Sequence, residues 1–330
     1  MQMRTLDPYV RHQIENAERV RRRMRRPRPP GAAGRARPHA KAPRPPAVCG
    51  QRQGACLHPM SGRRVPCEGA RRSLERQGGS MDLEGTVAVV TGGNGGLGQR
   101  ICHALAREGA SIAVVYAQSR EQAEEVAREL ASRYQVEAAA FACDVTEGVA
   151  VERLIGDVSG RFGRLDILVN DAAYNKSVPF ADLEGLTLEL WERIMAVNLT
   201  GPLRLIKAAA PVMKAQGRGR IVNIASVAGL GPTGSSIAYA VSKAGLIHLT
   251  RCMALALAPE TLVNCVAPGL LEGTRATANL RPEHIERAAA GSLLKKAADK
   301  DDCADMVVAM CRTETMTGQT VVIDSGRYFH

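Results

Sequence analysis

From position 86 onward the sequence keeps one alternation: a short apolar run, a stretch with helical spacing, then another apolar run. "TVAVVT" (86–91) predicts a strand buried on both faces. "GLGQRICHALAREGA" then places Leu97, Ile101 and Leu105 on one helical face, with Gly109 closing the helix. "SIAVVY" (111–116), "EAAAFACDV" (137–145), "LDILVND" (165–171), "RIVNIAS" (220–226), "LVNCVAP" (262–268) and "QTVVID" (319–324) read as the remaining strands. Helices are expected over 119–134, up to about Arg161, over 187–216, over 239–259 and over 300–311. The stretch 271–298 reads as helical, mobile cover. Strands alternating with helices predict βαβ units, hence a parallel sheet with helices on both faces. No internal repeat is visible.

The first strand-to-helix junction is "TGGNGGLG" (91–98), with five glycines in eight residues. Small residues let a backbone approach phosphates. A helix N-terminus adds free N–H groups and a partial positive charge. The spacing is Gly92-x-x-x-Gly96-x-Gly98, and by itself it also fits a flexible turn.

Residues further along the chain narrow the choice. Asn198 lies in "VNLTG", Ser226 in "NIASVAG", and thirteen residues later "AYAVSKAG" supplies Tyr239 and Lys243. "CDV" (143–145), "VND" (169–171), "VNCVAPG" (263–269) and "TGQTVVIDSG" (317–326) stand in order around them. Together with the glycine loop this set resembles the short-chain dehydrogenase/reductase family, 3-oxoacyl-acyl-carrier-protein reductases among its members, nearly end to end over 81–330. The resemblance implies one doubly wound Rossmann-type α/β domain, with a seven-stranded parallel sheet of order 3-2-1-4-5-6-7. It implies an NAD(P)(H)-dependent oxidoreductase that interconverts a ketone and a secondary alcohol.

Residue chemistry agrees with that reading. Tyr239 and Lys243, four apart, share one helix face. A free phenol titrates near ~10, and an adjacent ammonium lowers that value. The family implies Tyr239 as general acid/base, Ser226 as the hydroxyl that polarises the carbonyl, and Lys243 as a ribose contact. Asn198 resembles the residue that holds a water behind Lys243. The resemblance further implies cofactor contacts from Gly92, Asn94, Gly96, Leu97 and Gly98 in the loop, and from Tyr116, Ser119 and Arg120 after the second strand. Asp144, Val145, Asn170, Ala172, Tyr239, Lys243, Pro268, Gly269 and Thr274 complete that set. No metal is expected.

An acid at the end of the second strand would grip a ribose 2′-OH and repel a 2′-phosphate. Tyr116 stands there, followed by Gln118, Ser119 and Arg120, so NADP(H) is favoured, with NAD(H) as the alternative. Gly95 stands where many NADP-preferring relatives carry a basic residue. Three departures from the family pattern are visible. "NDAA" (170–173) replaces N-N-A-G, Leu262 replaces a basic residue, and Thr274 is displaced by one position. Candidate substrate walls are Tyr174, "VAGLGPTGSS" (227–236) and 271–298, which suit an apolar or acyl-bearing ketone.

The net charge of +11 belongs to the first 80 residues, which carry 19 basic and 5 acidic side chains and ten of the 17 prolines. So polar a segment cannot bury enough surface to offset ordering entropy and is expected to be disordered, apart from a short helix around Pro8–Arg26. It reads as a start set too early, with translation beginning at Met81. A basic arm for RNA or anionic lipid, a transit peptide, and a metal site from Cys49, Cys56, His58 and Cys67 are the competing readings. The body carries 25 basic and 28 acidic residues, so no nucleic acid is expected there. No run of about 18 apolar residues predicts a membrane span. Six unpaired body cysteines fit a reducing, cytoplasmic setting. The helices at 187–216 and 239–259 are expected to form a dimer or tetramer, as in relatives. A catalytically silent nucleotide-sensing or scaffold protein is the rival reading for the body, and retention of Tyr239 and Lys243 argues against it.

Overall fold

The computed structural model describes residues 80–274, 277 and 282–329, together with two short strands at 55–57 and 64–66. The chain forms two units, Met1–Ser73 and Leu74–His330. In the first, Ala55–Leu57 pairs antiparallel with Arg64–Pro66. The helix expected at Pro8–Arg26 lies outside the described residues, as do Cys49, His58 and Cys67.

In the second unit, seven parallel strands run β1 Val87–Thr91, β2 Ser111–Tyr116, β3 Ala138–Ala142, β4 Ile167–Asn170, β5 Gly219–Ile224, β6 Thr261–Pro268 and β7 Thr320–Ile323. Their order across the sheet is β3-β2-β1-β4-β5-β6-β7, the order expected from the sequence. The helices are α1 Gly96–Arg107, α2 Arg120–Tyr134, α3 Gly148–Phe162, α4 Leu188–Met195, α5 Gly201–Gln216, α6 Ile237–Leu257, α7 Pro282–Ala290 and α8 Lys300–Arg312.

Side-chain alternation divides the core into two layers. Ala88, Val90, Ile112, Val114, Ile167 and Val169 pack with α1, α2 and α8. Val87, Val89, Ala113, Val115 and Leu168 pack with α3 and α5. Both faces are covered, which is why these strands read as unbroken apolar runs. Each fully buried Val or Ile contributes about 1.5–3 kcal/mol.

Two elements depart from the sequence reading. The helix expected over 187–216 is interrupted by a π-turn, Ala196–Thr200, between α4 and α5. The extra residue turns the Asn198 side chain inward, where it is fully buried. Such turns recur at functional sites. The segment 271–298 holds one helix, α7, with turns on either side of it among the described residues. By length and composition α6 could cross a membrane, with mean hydropathy 1.2. Here it packs along β6 and buries Lys243.

Met81 is packed into the body. Its side chain is buried, and its N–H donates to the Arg312 carbonyl at 2.7 Å. A chain beginning at Met81 is therefore expected to keep the melting temperature and turnover of the full chain. A fall of more than about 5 °C in differential scanning calorimetry, roughly 2 kcal/mol for a unit this size, would show that the first 80 residues support the body.

Candidate active site

Helices cross over on opposite sides of the sheet from β1, so the order reverses between β1 and β4. A crevice at the carboxyl ends of the strands is thereby open at this point. The glycine loop leads from β1 into that crevice. A methyl built on Gly96 would stand 2.5 Å from the Gly273 carbonyl oxygen. One built on Gly98 would stand 2.8 Å from the Gly92 carbonyl carbon and 2.9 Å from Gly93 Cα. Only glycine allows α1 to begin this close beneath the loop. The loop is thus a tight cradle of backbone at a helix N-terminus, which fits a dinucleotide's pyrophosphate.

Buried Asn94 extends this cradle. Its Nδ2 donates to the Gln118 carbonyl at 3.0 Å and to the Ser119 carbonyl at 3.3 Å. Asn94 therefore ties the glycine loop to the turn after β2, a side-chain role that glycine spacing does not announce. In that turn Ser119 has φ 60, a conformation that non-glycine residues rarely adopt. Tyr116 ends β2 half-buried. Arg120 Nε donates to Glu124 Oε1 at 2.7 Å on the surface. Leu97 packs into the core, and Val145 is buried against Gly201. Asp144 Oδ1 accepts from the Thr146 N–H and hydroxyl, closing the turn after β3.

The Asn170 side chain is turned into the sheet. Its Nδ2 donates to Asn223 Oδ1 at 2.8 Å, and Asn223 Nδ2 donates to Thr250 Oγ1 at 2.9 Å. The side chain pins β4 to β5 and α6, and its Oδ1 is left buried without a partner. The Ala172 N–H donates to Thr91 Oγ1 at 3.1 Å, which folds this segment back over β1. Thr274 lies over Gly96, its hydroxyl 3.0 Å from that of Thr277, so it covers the glycine loop. An open groove of about 920 Å³ begins at Asn94, Gly95, Gly96 and Thr274 and runs outward along α1; neither Ser226 nor Tyr239 lines it.

Ser226, Tyr239 and Lys243 are brought together by two close packings. Ser226 follows β5, its Oγ accepts from the Ala228 N–H at 3.2 Å, and it donates to the Pro268 carbonyl at 3.5 Å. Gly229 lets this loop rest on α6, where a methyl would stand 2.6 Å from the Lys243 carbonyl carbon. The Ser236 hydroxyl caps α6 by accepting from the Tyr239 N–H at 3.2 Å, which sets Tyr239 in the first turn. Asn198 is bound on three sides. Its Oδ1 accepts from the Tyr174 N–H at 2.8 Å, and its Nδ2 donates to the Tyr174 carbonyl at 3.0 Å and to Ser242 Oγ at 3.1 Å. Both amide protons are used, which leaves a lone pair on Oδ1 for a water. No motif marks Ser242, which the sequence shows only as the residue before Lys243.

The electrostatics correct one expectation. Burial pushes the Tyr239 phenol up, the adjacent Ser226 hydroxyl pulls it down, and Asp171 pushes it up further. Lys243 Nζ is aimed at the Ile224 carbonyl, 2.8 Å away, and lies 5.7 Å from the Tyr239 ring centre. Burial also pulls Lys243 down to about 8, against the opposing attraction of Asp171 and Cys265.

A seven-stranded parallel sheet with this loop defines a dinucleotide-binding domain. The pattern of the short chain dehydrogenases matches residues 86–285. A protein described as ketoacyl reductase 2 of the granaticin polyketide synthase, from Streptomyces violaceoruber, is 36% identical over 74% of this chain and 97% of its own. Among solved structures, an NADPH-dependent 3-quinuclidinone reductase from Rhodotorula rubra superposes with a TM-score of 0.69 at 28% identity, covering 74% of this chain and 92% of its own. An NAD+-bound xylitol dehydrogenase gives a TM-score of 0.69 at 28% identity, covering 74% of this chain and 100% of its own. The chain belongs to the short-chain dehydrogenase/reductase family and is an oxidoreductase of it, with a nicotinamide dinucleotide as the implied cofactor.

Proposed function

We propose that the protein is an NAD(P)(H)-dependent carbonyl reductase or alcohol dehydrogenase acting on a ketone and its secondary alcohol. The carrying observation is the convergence of the Ser226 hydroxyl, the Tyr239 phenol and a buried Lys243 ammonium beside a cradle only glycine can form. The cradle and Asn94 would hold the dinucleotide, and a bound nicotinamide supplies or accepts the hydride. Ser226 holds the substrate oxygen beside Tyr239. In the reducing direction the Tyr239 O–H bond breaks and its proton passes to that oxygen, leaving a phenolate. Lys243 keeps one N–H on Ile224 and has two further donors, enough to meet a ribose hydroxyl and to favour the phenolate. Asn198 holds Tyr174 and α6 in register and offers its remaining lone pair to a water that returns the proton.

NADP(H) is the favoured form. Tyr116 presents no charge against a 2′-phosphate, and the Arg120–Glu124 pair is surface-exposed, so a phosphate can take Arg120 over. The similarity to a ketoacyl reductase supports an acyl-bearing ketone as substrate. The test is a panel of ketones and alcohols assayed by nicotinamide absorbance with both cofactors. NADPH is expected to give the higher kcat/KM, and Tyr116→Asp to shift the ratio toward NADH by about tenfold, one added like charge near the phosphate. Equal use of both cofactors, or a preference for NADH, would refute the assignment.

A further inference from the structure

Asp171 follows β4 and takes no part in the chemistry above. Its N–H donates to Thr91 Oγ1 at 3.1 Å, which fixes the turn against the end of β1. Its carboxylate is turned toward the glycine loop, and a methyl built on Gly92 would stand 3.5 Å from Oδ2. The titratable side chains electrostatically coupled to it are Lys243 and Tyr239 on α6, Cys102 on α1 and Cys303 on α8. Among the described residues no N–H or O–H is bonded to the carboxylate, and Lys243 is committed in part to Ile224. Burial outweighs the attraction of Lys243 and pushes the Asp171 carboxyl up to about 7.

An ionised Asp171 and a pyrophosphate would occupy one electrostatic pole. Asp171 and Gly92 are half-buried. The N–H groups that open α1 can neutralise an anion beside Gly92, but two anions this close repel. The carboxylic acid removes that repulsion and offers an O–H donor to a nucleotide oxygen. We propose that Asp171 is a proton-linked cofactor-binding residue: the nicotinamide nucleotide binds the form in which Asp171 is protonated. The inference rests on the nucleotide reading of the glycine loop.

The test uses the full chain and Asp171→Asn, with NADH and NADPH bound separately. Kd is read from nicotinamide fluorescence between pH 6 and pH 7.5. Proton uptake is read by calorimetry in buffers of different ionisation enthalpy. In the unaltered protein, affinity for both nucleotides is expected to fall about fourfold across this window, with about three-quarters of a proton taken up at its upper end. In Asp171→Asn, affinity is expected to stay within about twofold and the shared uptake to vanish. Titration of the 2′-phosphate acts on NADPH alone, so the NADH data isolate the protein's proton. Lys243, at about 8, loses most of its proton above the window.

A second readout needs no nucleotide. The folded-state value lies above the unfolded one, near ~4, so the unfolded chain ionises first and stability falls as pH rises from about 4 to about 7. The melting temperature of the unaltered protein should therefore fall relative to Asp171→Asn over that range. A pH profile of NADH binding unchanged by Asp171→Asn, or binding without proton uptake in the unaltered protein, overturns this inference and leaves the nucleotide reading standing. Failure of both NADH and NADPH to bind at any pH overturns both readings.

Discussion

Replacing Tyr239 by phenylalanine is expected to lower kcat at least about 100-fold while nicotinamide-nucleotide affinity stays within about twofold. The change removes one oxygen and keeps the ring. The backbone bond from the Tyr239 N–H to Ser236 and the burial of Lys243 do not depend on that oxygen. Lys243→Ala should behave differently. It removes the donor to the Ile224 carbonyl, opens space at the centre of the site, and takes away the cation that Asp171 faces. Both kcat and nucleotide affinity should fall. The double variant should be little worse than the worse single one, because the two residues act as a unit. The measurements are kcat against pH and nucleotide Kd for the three variants. A near-normal kcat in Tyr239→Phe would place the proton donor elsewhere.

The strands were legible because both sheet faces are covered. Burial on two sides demands unbroken apolar runs, so 111–116 could be bounded without structural information; alternation with helices gave a parallel sheet, and the order of its seven strands came from the family resemblance. The π-turn at 196–200 was not legible. Apolar periodicity runs from Leu190 and Ile194 through Leu205 and Ile206 without a break that announces it. What holds the turn is a set of tertiary bonds from Asn198 to Tyr174 and Ser242. The site divides in the same way. Ser226, Tyr239 and Lys243 could be picked out by their match to the family's motifs, and a strand end and a helix start bring them together. Side-chain aim could not. Asn170 turns to Asn223 and Lys243 to Ile224, each satisfying a buried polar group that no local pattern displays. Asp171 was visible as a departure from N-N-A-G, but its raised ionisation depends on which helices enclose it.

Gly98→Ala tests whether the loop is a cradle or merely a turn. The added methyl would meet the backbone of Gly92 and Gly93, including Gly93 Cα at 2.9 Å, and backbone cannot swing aside as a side chain can. Either the first turn of α1 moves outward or the loop does. The core sets the cost of the first, because Ile101, Cys102 and Leu105 are fully buried one and two turns further on. The loop's bonds oppose the second, because Gly93 N–H donates to the Val115 carbonyl at 3.1 Å and Asn94 holds the turn after β2. Overpacking of this kind costs about 1–3 kcal/mol of stability. Nucleotide affinity should fall at least about tenfold, because the N–H groups that would meet the pyrophosphate are displaced together. Gly156→Ala is the matched control. It adds the same methyl in the middle of α3, where no atom lies within 4 Å, so it should raise stability by about 0.5–1 kcal/mol through helix propensity and leave affinity unchanged. Chemical denaturation and fluorescence titration of the two variants give both numbers. If Gly98→Ala bound nucleotide as tightly as the unaltered chain, close approach of α1 to the loop would not be what forms the phosphate site.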